Sequence, residues 1–307
     1  MIRPLIFWLS RSRAAAHIAA NVPGFRGFSR RFVAGERQAD VIEAVRRLNA
    51  QGFDATVSFL GEEVKEERAV HAAIEEFTSF ARAVKQFALR SHISIKLTEL
   101  GLAFDRELAA RSLHAVLDAA QDAGAFVRID MEDSRYTEAT LALFREIRAS
   151  HDNVGVVIQS YLHRSADDVA QLAAEGAPVR LVKGAYREPA EIACQEKQQV
   201  DDAFARLTDL YFEHLAPGGS LAVATHDARM IRAALRSAET RAIPRDRYEF
   251  QFLYGIRTGL QRQLLAQGHR VRVYVPYGEQ WYPYLMRRLA ERPANLWFFL
   301  RNAFRRA

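Results

Sequence analysis

VGVVIQSYLHRSADDVAQLAAEGAPVRLVKGAY, residues 154–186, holds the unit from which this chain is built. A β-branched run (154–160) ends in the polar pair Gln159–Ser160, a helical stretch follows over 165–174, and a second β-branched run (179–186) carries Lys183 at its tip. Ser165 suits an N-cap, and Gly176 stands where a helix end needs a left-handed residue. Working outward, the same kind of run recurs as ATVSFLGE (55–62), ISIKLT (93–98), AFVRIDM (125–131), LAVATHD (221–227), YEFQFLYG (248–255) and RVRVYVPYG (270–278). Strand and helix thus alternate eight times, which predicts an α/β fold of the (β/α)8, TIM-barrel type. Such barrels carry their active sites at the C-terminal strand ends. Glu62, Lys96, Asp130, Gln159, Lys183, His226, Gln251 and Tyr274 are therefore expected to ring one mouth, and the chain to be an enzyme.

The 307 residues suit one barrel of about 250 residues plus an appendage. The organisation expected is an N-terminal helical arm over 1–52 and the barrel over 53–307, with an extra C-terminal helix in the apolar, basic tail 294–306. Within the arm, Val41, Ala44, Val45 and Leu48 form one stripe of a helix over 36–51 that stops at Gly52. Barrel helices are expected over 65–88, 106–123, 137–149, 165–174, 189–215, 228–240, 258–267 and 280–292, with Asp227 as an N-cap and Gly268 as a C-terminal glycine. A lone cysteine, Cys194, leaves no partner for an internal disulfide and reads as an inert thiol in a polar helix. No histidine pair or acidic loop has metal-ligand spacing, so no metal is expected.

The net charge of +6 is concentrated at the ends. Residues 1–35 carry Arg3, Arg11, Arg13, Arg26, Arg30 and Arg31 without an acid, and the tail carries Arg301, Arg305 and Arg306. Such ends suit anionic lipid or nucleic acid, but solvated helix faces explain them too, and that reading is preferred. The arm also resembles an organellar transit peptide, whereas PLIFWL is too short to span a bilayer, for which about 20 residues are needed.

The densest constellation is RVYVPYGEQWYPYLMRRLAERPAN, residues 272–295. Tyr284, Arg287 and Arg288 fall at i, i+3 and i+4, so one helix face offers an aromatic ring beside two guanidiniums able to bind a carboxylate. A surface helix with an Arg287–Glu291 pair is the plain alternative; the crowding of Tyr274, Tyr277, Trp281, Tyr282 and Tyr284 weighs against it. Lys96 and Lys183 admit two chemistries, a Schiff-base amine or a fixed cation for an anionic ligand. Asp130 at the same mouth would keep the lysines charged and so favours the cation. Gly184 offers a close backbone approach, and Thr225–His226 place a hydroxyl and an imidazole at a strand end. With no GxGxxG or Walker loop in the chain, any dinucleotide would bind without a Rossmann fold.

The strings SIKLTELG, VRIDMEDS, VVIQSYL, VRLVKGAYREP, ATHD, EFQFLYG and RVYVPYGEQWYPYLMRRLAERPAN, in order from about Glu36 to the C-terminus, strongly resemble the monofunctional bacterial proline dehydrogenases. The resemblance implies a somewhat distorted (β/α)8 barrel that binds FAD, oxidises L-proline to Δ1-pyrroline-5-carboxylate and passes electrons to a membrane quinone. It implies Asp130 and Arg180 as catalytic residues, with Arg180 against the flavin and Asp130 holding the substrate-site cations. Lys96, Arg287 and Arg288 would grip the proline carboxylate, while Tyr274, Tyr284 and Leu253 wall its ring. Tyr186 and Glu62 match an active-site aromatic and a gating acid. Met131, Gln159, Lys183, Gly184, Ala185, Thr225 and His226 match flavin contacts. Arg187 departs from the bifunctional relatives, which have tryptophan there. The implied partners are proline and a quinone, with no nucleic acid, in a cytoplasmic protein for which peripheral contact with the inner face of the membrane stays open.

Overall fold

The computed structural model describes residues 29–61 and 64–291. Among them eight strands, all parallel, close into one barrel in chain order: β1 (Asp54–Phe59), β2 (Ser91–Ile95), β3 (Val127–Ile129), β4 (Val154–Gln159), β5 (Val179–Val182), β6 (Leu221–Ala224), β7 (Tyr248–Leu253) and β8 (Val271–Tyr277). Helix α1 (Gln38–Ala50) precedes β1 and seats Val41, Ala44 and Val45 in the core; α2 (Glu67–Gln86), α3 (Arg106–Asp122), α4 (Ser134–Arg148), α5 (Ser165–Ala174), α6 (Lys197–Glu213), α7 (Ala228–Thr240), α8 (Thr258–Ala266) and α9 (Trp281–Glu291) follow one strand each. The expected (β/α)8 architecture is present. The residues 1–28, the expected tail helix and both basic termini beyond Ser29 and Glu291 lie outside the described residues, as does Glu62.

Side chains alternate across each strand. One set, such as Ile93, Ile95, Val127, Ile129, Val179, Leu181, Phe250 and Phe252, is buried in the main apolar core. On α2, Phe77 and Phe80 belong to the same core, where Phe59 meets Phe77 edge-on and Tyr277 packs on Phe59 and Phe80. The other set is unusually polar. Near the N-terminal end Arg272 donates to both Glu249 oxygens, at 2.8 and 3.1 Å, and to the Ala55 carbonyl at 2.8 Å. Arg128 donates to the Pro178 carbonyl at 2.7 Å, and its burial, with Arg180 nearby, draws its pKa down to about 9. Gly155 makes room for this arginine, because a Cβ there would lie 2.4 Å from Arg128 Nη1.

Several helix starts differ from expectation. The stretch expected to be helical from Pro189 begins only at Lys197, because residues before it turn along the β4 tip, where Leu162 and Ala193 form an antiparallel bridge. Cys194 is therefore in a loop, half-buried, and its N–H donates to the Tyr161 carbonyl at 2.8 Å. Helix α4 begins at Ser134, three residues before Thr137, because Asp133 caps it through the Arg135 N–H. Ser165 is the first residue of α5 and not its cap; its hydroxyl instead donates to the Gln159 carbonyl at 2.7 Å. Asp227 does cap α7, and Gly176 and Gly268 take left-handed φ values of 63° and 76°.

Candidate active site

The centre of the C-terminal mouth is an ion pair that bridges β3 and β5 across the intervening β4. Arg180 of β5 donates Nη1–H to Asp130 Oδ1 at 2.6 Å, just beyond β3. The other carboxylate oxygen accepts the Tyr274 hydroxyl at 3.0 Å, from β8. Ser94 of β2 lies between them, 3.1 Å from Arg180 Nη1 and 3.4 Å from Asp130, with Thr56 of β1 3.3 Å behind it. The guanidinium also stands 5.4 Å from the Tyr274 ring centre, in cation–π range. Five strands thus converge on one group, and Arg180 Nε is buried with no hydrogen-bond partner among the described residues. A buried, partly unsatisfied guanidinium at a barrel mouth is a ready donor for a ligand. Burial, together with Asp130 nearby, pushes the Tyr274 hydroxyl well above its ordinary range, so it stays a neutral donor.

Neither lysine pairs directly with Asp130, although Asp130 helps to keep Lys96 charged. Lys96 follows β2, and its Nζ pairs with Glu99 at 2.7 Å across one turn of the short 3-10 helix Leu97–Leu100. Burial alone would lower its pKa, but Glu99 overrides burial and drives it upward, with a smaller contribution from Asp130. Lys183 follows β5 and pairs with Asp201 on α6 and Asp227 at the head of α7. Asp130 accepts from Arg180, Ser94 and Tyr274, and the lysine ammoniums pair with other carboxylates. A Schiff-base lysine needs the opposite shift, towards a neutral amine, so the cation reading of Lys96 stands.

The remaining predicted residues are distributed around the rim. Gln159 closes β4, donating to the Glu132 carbonyl at 2.8 Å and accepting from the Ala185 N–H at 3.4 Å. Met131 is buried in the core beyond β3. Gly184 has φ 116°, and a Cβ there would lie 2.3 Å from the Tyr161 ring, so an aromatic face already covers that side of it. Tyr186 is largely exposed, and its carbonyl accepts from the Tyr161 hydroxyl at 3.2 Å. Thr225 accepts from the Asp227 N–H at 3.2 Å. His226 Nε2 accepts the Leu253 N–H at 3.0 Å, which requires the proton on Nδ1 and links the tips of β6 and β7. Gln251 is not at the mouth: β7 runs on to Leu253, leaving Gln251 buried one layer lower against Glu249 at 2.5 Å. Tyr284 is buried on α9; Arg287 and Arg288 belong to that helix, but their side chains lie outside the described ones.

Closed-barrel order sorts these residues into two halves. Those matched to flavin contacts follow the consecutive strands β3 to β6, whereas Leu253, Tyr274, Tyr284 and Lys96 follow β7, β8 and β2; Tyr186 is the exception, beside β5. The Asp130–Arg180–Tyr274 network joins the halves. Sequence reasoning missed Glu99, Asp201, Ser94 and Thr56. Glu99 was signalled by its i+3 spacing from Lys96; nothing in the linear pattern points to the other three.

Comparison with known proteins identifies the family and the fold. The proline dehydrogenase family profile matches residues 41–301. Proline dehydrogenase 1 of Bacillus subtilis (strain 168) is 39% identical over 306 residues, spanning 100% of both chains, so the likeness is end to end. Proline dehydrogenase of Deinococcus radiodurans is 39% identical over 279 residues, covering 89% of this chain and 88% of that one. Among solved structures, proline utilization A from Bdellovibrio bacteriovorus, inactivated by N-propargylglycine, superposes with a TM-score of 0.81 at 25% identity. That match covers 90% of this chain but 33% of the larger protein, so it bears on the barrel alone. A single barrel with its ion-paired centre, matched along its whole length, belongs to the proline dehydrogenase family.

Proposed function

We propose that this chain carries out its family's reaction as a flavoenzyme, with FAD held by the β3–β6 half of the mouth and proline by the β7–β2 half. The reaction converts L-proline into Δ1-pyrroline-5-carboxylate, removing one hydrogen from C5 and one from the ring nitrogen with two electrons. FAD, when bound, supplies the acceptor for those electrons. The donor set fits it: Arg180 has an unpartnered buried Nε, Lys183 is a strand-tip cation, and Thr225 and His226 add a hydroxyl and an imidazole. Arg180 is assigned to the flavin ring, where a positive charge favours the reduced, anionic form. Met131, Gln159, Lys183, Gly184, Ala185, Thr225 and His226 are assigned as its other contacts.

The protein's larger contribution is orientation. Lys96, Arg287 and Arg288 are assigned to the proline carboxylate, with Tyr274, Tyr284 and Leu253 around the ring, Tyr186 at the rim and Glu62 as a gating acid. Cations near the carboxylate also disfavour the ammonium form of proline and so ease loss of the nitrogen's proton. Asp130 keeps Arg180 and Tyr274 in register with one another. The final acceptor is assigned as a quinone, reached by peripheral membrane contact. Among the described residues no helix is long and apolar enough to cross a membrane.

The observation that carries this reading is the 2.6 Å Asp130–Arg180 pair with its orphaned Nε at the mouth. An anaerobic absorbance spectrum tests it. Bands near about 450 nm should bleach on adding L-proline and return on adding a quinone. A colourless protein that borohydride couples to its substrate through a lysine would replace the flavin reading with an imine-forming one.

Glu99→Gln supplies a second test. Without its carboxylate, burial dominates and the Lys96 amine should lose its proton at lower pH than in the wild type. Proline capture should then fall away at a lower alkaline pH, by roughly tenfold in kcat/KM on that limb, the size of one charge-assisted contact. An alkaline limb superimposable on the wild type's would remove Lys96 from the carboxylate clamp.

A further inference from the structure

Asp201 is a carboxylate with 2% of its side chain exposed, yet it takes part in no substrate-side contact. It lies in the second turn of α6 and receives three cations. Lys183 reaches it from the β5 tip, Lys197 from its own helix at 2.5 Å, and Arg229 from α7 at 2.6 Å. Lys197 and Arg229 are mostly exposed, with 75% and 55% of their side chains in solvent, and exposed partners contribute little to folding. Lys183 is different. Its side chain is 27% exposed, it belongs to the mouth, and it is held from a second side by Asp227 at 3.3 Å.

That second carboxylate also caps α7 through the Arg229 N–H at 2.9 Å, and its own N–H donates to Thr225. The lysine therefore ties the β5 tip, the second turn of α6, the cap of α7 and the Thr225–His226 segment to one another. Burial alone would raise the Asp201 carboxyl, but hydrogen bonds from Lys183 and Lys197 hold it below its ordinary range, so it stays charged. Among the described residues, three cations meet two carboxylates here, and Lys183 is the one at a strand tip. A lysine is a point charge on a flexible stem and fixes nothing until its own position is fixed.

We propose that Asp201 is the positioning residue for Lys183, holding its ammonium as a fixed cationic donor for the phosphates of the dinucleotide cofactor. The assignment rests on the reading of Lys183 as a flavin contact, and it gives α6 a part in cofactor binding.

The test is a double-mutant cycle on the full-length enzyme, read as the FAD dissociation constant on reconstitution and as flavin retained per chain after purification. Asp201→Asn and Lys183→Met should each weaken FAD binding by roughly tenfold or more, as expected for a charge-assisted contact. Combined, they should be no weaker than Lys183→Met alone, because the carboxylate acts only through the lysine. Asp201→Glu should recover most of the affinity. A lowered Tm with unchanged FAD affinity in Asp201→Asn would make the residue structural and overturn the proposal. So would a full Asp201→Asn loss that persists when Lys183 is already methionine. Should Asp201→Asn not fold, lysine-selective 15N spectra of the wild-type holoenzyme decide the matter. A pinned ammonium gives a slowly exchanging signal that Lys183→Met removes, and no such signal in the wild type refutes it. A wild type that takes up no flavin overturns the cofactor reading itself, and this assignment with it.

Discussion

Asp130→Asn should lower kcat/KM for proline by on the order of a hundredfold or more while leaving the barrel folded. Asparagine keeps the shape of the side chain and loses its charge. Arg180 would then face Ser94 and Thr56 without a counter-charge, at a position with 3% of its surface exposed. Removing one partner of a buried pair costs about 3–5 kcal/mol locally, and the guanidinium has room to relieve this only by swinging. Tyr274 loses its acceptor at the same time, since its hydroxyl donates to the other oxygen. A displacement of about 1 Å in a group that orients the reacting centre is enough for the expected loss. Steady-state kinetics with an artificial electron acceptor, alongside flavin content, provide the measurement. A decrease smaller than about threefold would remove Asp130 from the centre of the mechanism and leave it as one polar wall among several.

The second large effect lies at the other end of the barrel. Glu249→Gln leaves Arg272 buried with, among the described residues, Asp54 alone, 3.4 Å away, for a carboxylate. The loss of folding stability should be about 3–5 kcal/mol, measured by urea denaturation at neutral pH. Replacing both partners, as Glu249→Leu with Arg272→Met, should cost far less, because no charge is stranded. The pH dependence follows from the direction of the shift. Burial alone would raise the Glu249 carboxyl, but Arg272 holds it well below the ordinary glutamate range. A depressed folded value means the contribution is complete above about pH 4.3, the unfolded value, and is lost as pH falls towards the folded one. The gap between wild type and Glu249→Gln should therefore be flat from about pH 5 to 8 and close only in stronger acid. A gap under about 1 kcal/mol at neutral pH would mean that the interior relaxes around the stranded arginine.

The barrel was legible in the chain because its causes are local. Runs of β-branched residues favour strands, and Gly176, Gly268 and Asp227 end or begin helices through their own backbone and side-chain preferences. Strand tips could likewise be read off, which brought Lys96, Asp130, Lys183 and His226 into one list. Where a tip residue was misjudged, as at Gln251, a residue two positions short of the strand's end was taken for its tip.

Which groups pair across the mouth was decided elsewhere. Asp130 and Arg180 are 50 residues apart, Asp130 and Tyr274 are 144 apart, and Arg180 and Ser94 are 86 apart. Linear order carries no trace of such partners: Asp130 meets Arg180 across the intervening β4, while the Asp130–Tyr274 and Arg180–Ser94 contacts reach across the mouth. Closure also decided that Glu99, and Asp201 with Asp227, stand within ion-pair distance of the two lysines, while Asp130 accepts from Arg180, Ser94 and Tyr274. By itself, then, the sequence determined the repeating strand–helix unit, the polarity of each strand tip and the family. Only the closed barrel decided which charge answers which, because that depends on distances across the mouth, set by eight strands at once.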